Sequence, residues 1–182
     1  MRLPREFYNQ DTVDVARQLL GKTLVRKIGR HTMSGIITET EAYRQSDDPA
    51  SHAYRGMTPR NQAMFGDVGC AYVYFTYGMY HCVNVVARNQ KHSAGAVLIR
   101  ALEPKSGMDI MIKNRKTDKL ANLTSGPGKI TIALDITKKQ YGEDLVRSSS
   151  LYITEGITPT KITSGPRIGI RVGVDKKWNF RI

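Results

Sequence analysis

Cysteine is scarce in this chain of 182 residues. Cys70 and Cys82 are the only two, too few for a disulfide framework, and their spacing is not that of a zinc site. Reduced thiols in a cytosolic protein are the simplest reading. The four histidines, His31, His52, His81 and His92, are scattered, so no metal centre is expected. No apolar run approaches the ~20 residues that cross a bilayer. The start, Met1-Arg2-Leu3-Pro4-Arg5-Glu6, lacks the apolar core of a signal peptide. A dinucleotide glycine fingerprint, a nucleophilic Ser or Cys motif, internal repeats and low-complexity tracts are all missing. Acidic residues are the remaining shortage: 16 Asp and Glu stand against 28 Lys and Arg, a formal charge of +12. That excess points to a polyanionic partner, nucleic acid ahead of an anionic membrane surface, although a basic enzyme without such a partner would carry the same charge.

What is present suffices for a packed core. Forty per cent of the residues are hydrophobic, and the length fits one domain spanning residues 1–182. Asp11 or Thr12 can cap a helix through Val13, Ala16, Leu19 and Leu20 that stops at Gly21. Thr23 to Ile28 reads as a strand, Gly29 to Ser34 as a basic turn, and Ile36 to Tyr43 as a second strand. Residues 44–57 are loop. Thr58-Pro59 signals a short helix ending by Gly66. Ala71 to Val86, the most aromatic stretch, reads as a hairpin with Tyr77 and Gly78 near its tip. After a polar loop over residues 87–95, Ala96 to Leu102 is a strand closed by Pro104. Gly107 to Arg115 is a helix with Met108, Met111 and Ile112 turned inward. Ser125-Gly126-Pro127-Gly128-Lys129 then leads into Ile130 to Leu134, either as a phosphate seat or as a plain tight turn into a helix. Short strands are expected around Leu151–Thr154 and Ile168–Val174. Strands that neighbour in sequence pair antiparallel, which gives a mixed α/β (α+β) domain with a mainly antiparallel sheet, flanking helices and a β-hairpin.

The chemistry concentrates in the strand from Ile36 to Tyr43. Alternation places Ile37, Glu39, Glu41 and Tyr43 on one face and Ile36, Thr38, Thr40 and Ala42 on the other. Two carboxylates on one face repel unless a cation or water is near. A wet strand end beside surface lysines explains them as well as a catalytic carboxylate beside an aromatic wall does. Arg100 interrupts the apolar run Val97-Leu98-Ile99 and needs an acidic or phosphate partner, with Glu39 and Glu41 as candidates. A buried carboxylate can activate water, tyrosine and histidine can stack on a base, and an aromatic at a hairpin tip can wedge into a base stack. Together these are the parts of an enzyme acting on a base taken out of a duplex. Singly, Tyr72, Tyr74 and Tyr80 can be sheet-packing residues, His52 a loop histidine, and Asn84 a bonded core amide.

Several motifs in one order carry the comparison further. They are Glu39-Thr40-Glu41-Ala42-Tyr43, Ser51-His52, Thr58-Pro59-Arg60-Asn61, Met64-Phe65, Tyr72-Val73-Tyr74, Tyr77-Gly78-Met79-Tyr80, Asn84, Val97-Leu98-Ile99-Arg100-Ala101-Leu102-Glu103-Pro104, Ser125-Gly126-Pro127-Gly128-Lys129 and Gly165-Pro166-Arg167-Ile168-Gly169-Ile170. Through them the chain resembles the alkyladenine (3-methyladenine) DNA glycosylases of the mammalian and bacterial type over nearly its whole length. The resemblance implies one mixed α/β (α+β) domain with a curved, mainly antiparallel sheet, flanking helices and a protruding β-hairpin, without metal or cofactor. It implies excision of damaged purines by single displacement with water. Carried over by position, Glu41 is the general base and Arg100 its neighbour that helps hold the water. Tyr43 and His52 form one side of the base pocket and Tyr74 stacks on the other. Asn84 excludes guanine, Leu98 and Ala50 line the pocket, and Tyr77 is the wedge. Arg60, Lys129 and Arg167 are candidate phosphate contacts. The implied partner is double-stranded DNA bearing damaged purines, engaged by a monomer with no membrane association. The place of action is the cytoplasm, on the nucleoid, in a bacterium, or the nucleus in a eukaryote. The chain stops at Trp178-Asn179-Phe180-Arg181-Ile182, where family members continue for a short tail, which bears on the sheet's last edge. Two other classes are weighed: a non-catalytic basic nucleic-acid-binding module, distinguished by having no use for Glu41, and a glycoside hydrolase with paired carboxylates, against which the +12 charge argues.

Overall fold

The structure is a computed structural model describing all 182 residues. Eight strands form one sheet: β1 (Thr23–Ile28), β2 (His31–Arg44), β3 (Ala71–Thr76), β4 (Tyr80–Val86), β5 (Gly95–Ser106), β6 (Leu151–Thr154), β7 (Thr163–Gly165) and β8 (Asn179–Arg181). Four helices accompany it: α1 (Arg5–Tyr8), α2 (Thr12–Gln18), α3 (Met108–Arg115) and α4 (Pro127–Ala133). The strand order is β3-β4-β5-β2-β1-β6, with β8 joining β2 and β7. Every pairing is antiparallel, as the chain order predicts.

Alternation along the strands separates two environments. One face packs against the helices in a core that includes Ile37, Ala42, Val73, Val83, Val85, Val97 and Ile99 from the sheet and Val15, Ala16, Met111, Ile130 and Ala133 from the helices. The other face carries a small cluster around Tyr72, Met64 and Ala96 and continues into an open cavity.

The central strand β2 is longer than predicted, because the basic turn is confined to Gly29-Arg30 and the strand resumes at His31. It holds β5 along one edge; along the other, β1 pairs as far as Ile36 and β8 takes over at Glu39. The changeover coincides with a pair of bulges. Between Ile37↔Leu102 and Glu39↔Ala101 the extra residue is Thr38, and between Glu39↔Ala101 and Thr40↔Ile99 it is Arg100. The first bulge corrects one expectation. Ile37 does not share a face with Glu39 and Glu41. It lies in the helix-side core with Ala42, while Thr40 on that side donates to the Ala16 carbonyl at 2.7 Å.

Other boundaries move for local reasons. Asn61 ties down its own loop, accepting from the Thr58 amide and donating to the His52 and Gly56 carbonyls, so the helix expected from Thr58 shrinks to a 3-10 turn over Gln62–Phe65. β5 runs past Pro104 to Ser106, Pro104 lying beside a register shift where an imino acid is tolerated. Met108 is exposed, whereas Met111 is fully buried. Residues 168–174 form no strand; Gly169 and Gly173 have positive φ there. The strands in this part are instead β7 and β8, and β8 completes the edge beside Glu39–Glu41. Gly21 ends the turn after α2 with φ +83°, where a Cβ would collide with the Ile157 carbonyl oxygen. Cys70 and Cys82 are free thiols, and no helix is long and apolar enough to cross a membrane.

Leu24 is fully buried in the helix-side core. Leu24→Ala should lower the unfolding free energy by about 2–5 kcal/mol, read from the shift of a urea denaturation midpoint at constant slope.

Candidate active site

The strand register sets out the site. Tyr72 lies opposite Asn84, Asn84 opposite Leu98, Leu98 opposite Glu41, and Glu41 opposite Asn179. One row thus crosses β3, β4, β5, β2 and β8. The flanking positions are Val86, Ala96 and Tyr43 on one side and Tyr74 with Cys82 on the other. Above this row opens a cavity of about 360 Å³ whose lining includes Tyr43, Ala50, His52, Tyr74, Asn84, Leu98 and Arg100, closed by Ile168 to Val172 from the loop before β8. The volume falls in the range of small-molecule sites, roughly 300–1,000 Å³.

Glu41 is 0% exposed. It accepts four hydrogen bonds: at Oε2 from the Tyr43 hydroxyl at 2.7 Å and Arg100 at 3.4 Å, and at Oε1 from the Ile168 amide at 2.7 Å and the Asn179 amide at 3.0 Å. Accepting throughout and donating nowhere is the bonding pattern of an ionised carboxylate. Arg100 supplies the counter-charge and also bonds Glu39 at 3.1 Å. Its aim follows from alternation with Ala96 and Leu98 on the cavity face, and the bulge at Arg100 returns the next alternate residue, Leu102, to the helix-side core. Burial, then the charge and hydrogen bond of Glu41, push the Tyr43 pKa above the ordinary tyrosine range, so this hydroxyl stays a donor.

The aromatic side of the cavity is a connected group. His52 Nδ1 is 2.9 Å from the Tyr72 hydroxyl, and the His52 ring meets Tyr74 edge-on at 4.7 Å. Tyr72 and Tyr74 pack at 5.3 Å. His52 therefore stands with Tyr74, not beside Tyr43 as the resemblance had it, because the bond to Tyr72 draws it there. Tyr43 is three strand spacings away across the sheet. Asn84 donates to the Tyr72 carbonyl at 2.9 Å. At the hairpin tip, Tyr77 and Gly78 have φ +52° and +66°, the double positive of a tight hairpin turn. Tyr77 is 79% exposed.

The three candidate phosphate contacts separate. Arg60 is exposed above the Tyr74 ring, with one N–H on the Phe75 carbonyl. Lys129 is held by Asn122 and Ser125, in the segment whose Pro127 lines the cavity. Arg167 is different. It is buried, bonded to both Asp48 oxygens at 2.6 Å, and packed over Tyr43 at 4.6 Å. A phosphate role for Arg167 is therefore withdrawn: its charge is consumed by Asp48. Asp48 in turn accepts from the Arg44 and Ala50 amides, so this pair ties the Ala50–His52 loop to the back of Tyr43. Sequence reading missed Asp48, Asn179 and the Ile168 amide. An Asp-rich loop and a lone Asn in a short strand carry no periodic signal.

Two measurements follow. Arg167→Met strands Asp48 as an uncompensated buried charge and should cost about 3–5 kcal/mol in chemical denaturation. The His52 pKa is held below its ordinary value, first by desolvation of the ring edge packed on Tyr72 and Tyr74 and second by Arg60, although the exposed remainder of the residue lets solvent screen both and keeps the effect small. The unfolded chain then binds a proton that the native ring refuses, so stability should fall as pH drops from about 6.5 towards the lowered native value. His52→Gln should remove that part of the slope.

The comparisons with known proteins agree with one another. Residues 6–182 match the family described as Methylpurine-DNA glycosylase. A relative from Carboxydothermus hydrogenoformans is 50% identical over 99% of this chain and 94% of its own; one from Prosthecochloris aestuarii is 48% identical over 97% and 86%; one from Methanocella arvoryzae is 47% identical over 98% and 90%. Each is named "Putative 3-methyladenine DNA glycosylase". With a whole-length family match and a cavity that pairs a buried carboxylate with aromatic walls, the chain belongs to the methylpurine-DNA glycosylase family.

Proposed function

We propose that this DNA glycosylase excises alkylated and deaminated purines, of the 3-methyladenine, 7-methylguanine, hypoxanthine and ethenoadenine class, from double-stranded DNA, acting as a monomer. The observation that carries the reading is Glu41: a fully buried carboxylate whose Oε2 is bonded by two residues of the cavity lining, Tyr43 and Arg100.

In this reading the damaged nucleotide leaves the stack and its base enters the cavity between Tyr43 and the Tyr74–His52 side. Exposed Tyr77 fills the gap in the duplex. Asn84, tied to Tyr72, presents an obstacle to the 2-amino group of undamaged guanine, which for 7-methylguanine is offset by its positive charge and weakened glycosidic bond, and Leu98 and Ala50 shape the remaining wall. Arg60 and Lys129 contact phosphates at the rim. Glu41 takes a proton from water as its oxygen bonds to the sugar C1′. The C1′–N bond breaks and its electron pair leaves with the base. A cationic alkylated purine departs neutral; hypoxanthine and ethenoadenine need a proton as they leave. The product is an abasic site, the substrate of later base excision repair. No lysine is among the cavity-lining residues, so water, not an amine, is the nucleophile.

The test is base release from duplexes carrying one ethenoadenine or hypoxanthine and from methylated DNA, revealed by alkali cleavage. Wild type should release base and Glu41→Gln should lose about 10²–10⁴-fold in rate, the usual worth of a general base. Borohydride should trap no protein–DNA adduct, and duplex affinity should fall steeply with salt. Tight, salt-sensitive binding with no release from any substrate would favour the non-catalytic binding module instead.

A further inference from the structure

We infer that Asn179, on the last strand, is a positioning residue for base excision: its side-chain amide holds Glu39 and Glu41 in place together, and through Glu39 it fixes the guanidinium of Arg100. The inference rests on Glu41 being the base.

Asn179 is buried and pairs with Glu41 across the β2–β8 ladder. Its Nδ2 donates to Glu39 Oε1 at 2.7 Å and to Glu41 Oε1 at 3.0 Å. Its Oδ1 accepts from Arg181 Nε at 2.9 Å, and the same guanidinium reaches Glu39 at 3.1 Å. Arg100 closes the ring, with Nε on Glu39 and one terminal nitrogen on Glu41 Oε2. The amide orientation follows from its neighbours. Turned over, it would set an oxygen against two carboxylates and an N–H against a guanidinium.

This ring divides the labour of the two Glu41 oxygens. Oε1 is saturated by Asn179 and the Ile168 amide. Oε2 faces Tyr43 and Arg100, the cavity-lining pair, and its contact with Arg100 is the longest in the ring at 3.4 Å. Oε2 also accepts two bonds, but it is the oxygen beside the cavity lining, and its long contact with Arg100 is the one a water brought in with substrate would displace. Asn179 suits its place chemically. An acid there would add a third negative charge between two others. Alanine would take one bond from an oxygen of each glutamate, leaving Glu41 Oε1 to the Ile168 amide alone and Glu39 Oε1 to the two arginines, and would remove the link that holds the two carboxylates together.

The experiment compares single-turnover release of a methylated purine by wild type, Glu41→Gln, Asn179→Ala and Asn179→Asp, together with affinity for a duplex holding an uncleavable abasic analogue. Asn179→Asp keeps the acceptor for Arg181 and nearly the same shape, so it serves if the alanine variant fails to fold. Misplacing a reacting group by about an ångström can cost ~10²-fold. A loss of that size is expected for Asn179→Ala, a larger one for Asn179→Asp, with analogue affinity unchanged in both. Wild-type rates in the folded variants would overturn the inference. So would equal losses of rate and affinity, which reduce Asn179 to a strand-building residue. If wild type itself releases nothing, the reading of Glu41 fails first and this inference falls with it.

Discussion

A negative charge held out of water is the condition around which this site is built. An isolated ionised carboxylate in an apolar interior costs many kcal/mol, and a compensating charge repays that cost only with good geometry and full hydrogen bonding. Glu41 meets both requirements through a hydroxyl two residues along its own strand and three groups far away in sequence: a bulged residue of β5, a backbone amide of the loop before β8 and an amide from β8. The surrounding cluster holds two acids, Glu39 and Glu41, and two arginines, Arg100 and Arg181. It is balanced within itself. The +12 of the whole chain is therefore carried elsewhere, on surfaces such as the Arg60 loop, where it can meet a polyanion.

The contrast between Arg100 and Arg167 shows what sequence can and cannot supply. Both are arginines in otherwise apolar or glycine-rich surroundings, and both need a partner. For Arg100 the partner was readable, because two carboxylates sat on a strand that had to be near. For Arg167 it was not. Asp48 lies 119 residues away in a loop where it is one of two adjacent acids, and a free basic side chain looks identical to a paired one until the chain is folded.

The same division runs through the fold. The 71–86 hairpin and its tip, the antiparallel sheet and the shared face of Glu41 and Tyr43 were legible from β-type residues, turn formers and a period of two. Register was not. A one-residue shift exchanges the two faces of a strand, and it is register, with the two bulges at Thr38 and Arg100, that brings Tyr72, Asn84, Leu98, Glu41 and Asn179 into one row. The strand expected at residues 168–174 failed for a related reason. Its β-branched residues are spaced by glycines that turn the chain back over the cavity, where Ile168, Ile170 and Val172 line the opening.

Alternation across the sheet has a consequence for how such a protein can change. On β5, Val97 and Ile99 belong to the helix-side core while Ala96, Leu98 and Arg100 line the cavity; on β4, Val83 and Val85 alternate with Cys82 and Asn84 in the same way. Residues that hold the fold together and residues that meet a ligand are next-door neighbours in sequence yet lie on opposite sides of a single layer of backbone. Substitutions at cavity positions leave the helix-side contacts in place. The recognition surface can therefore drift under selection for different ligands while the scaffold's tolerance for mutation stays in reserve.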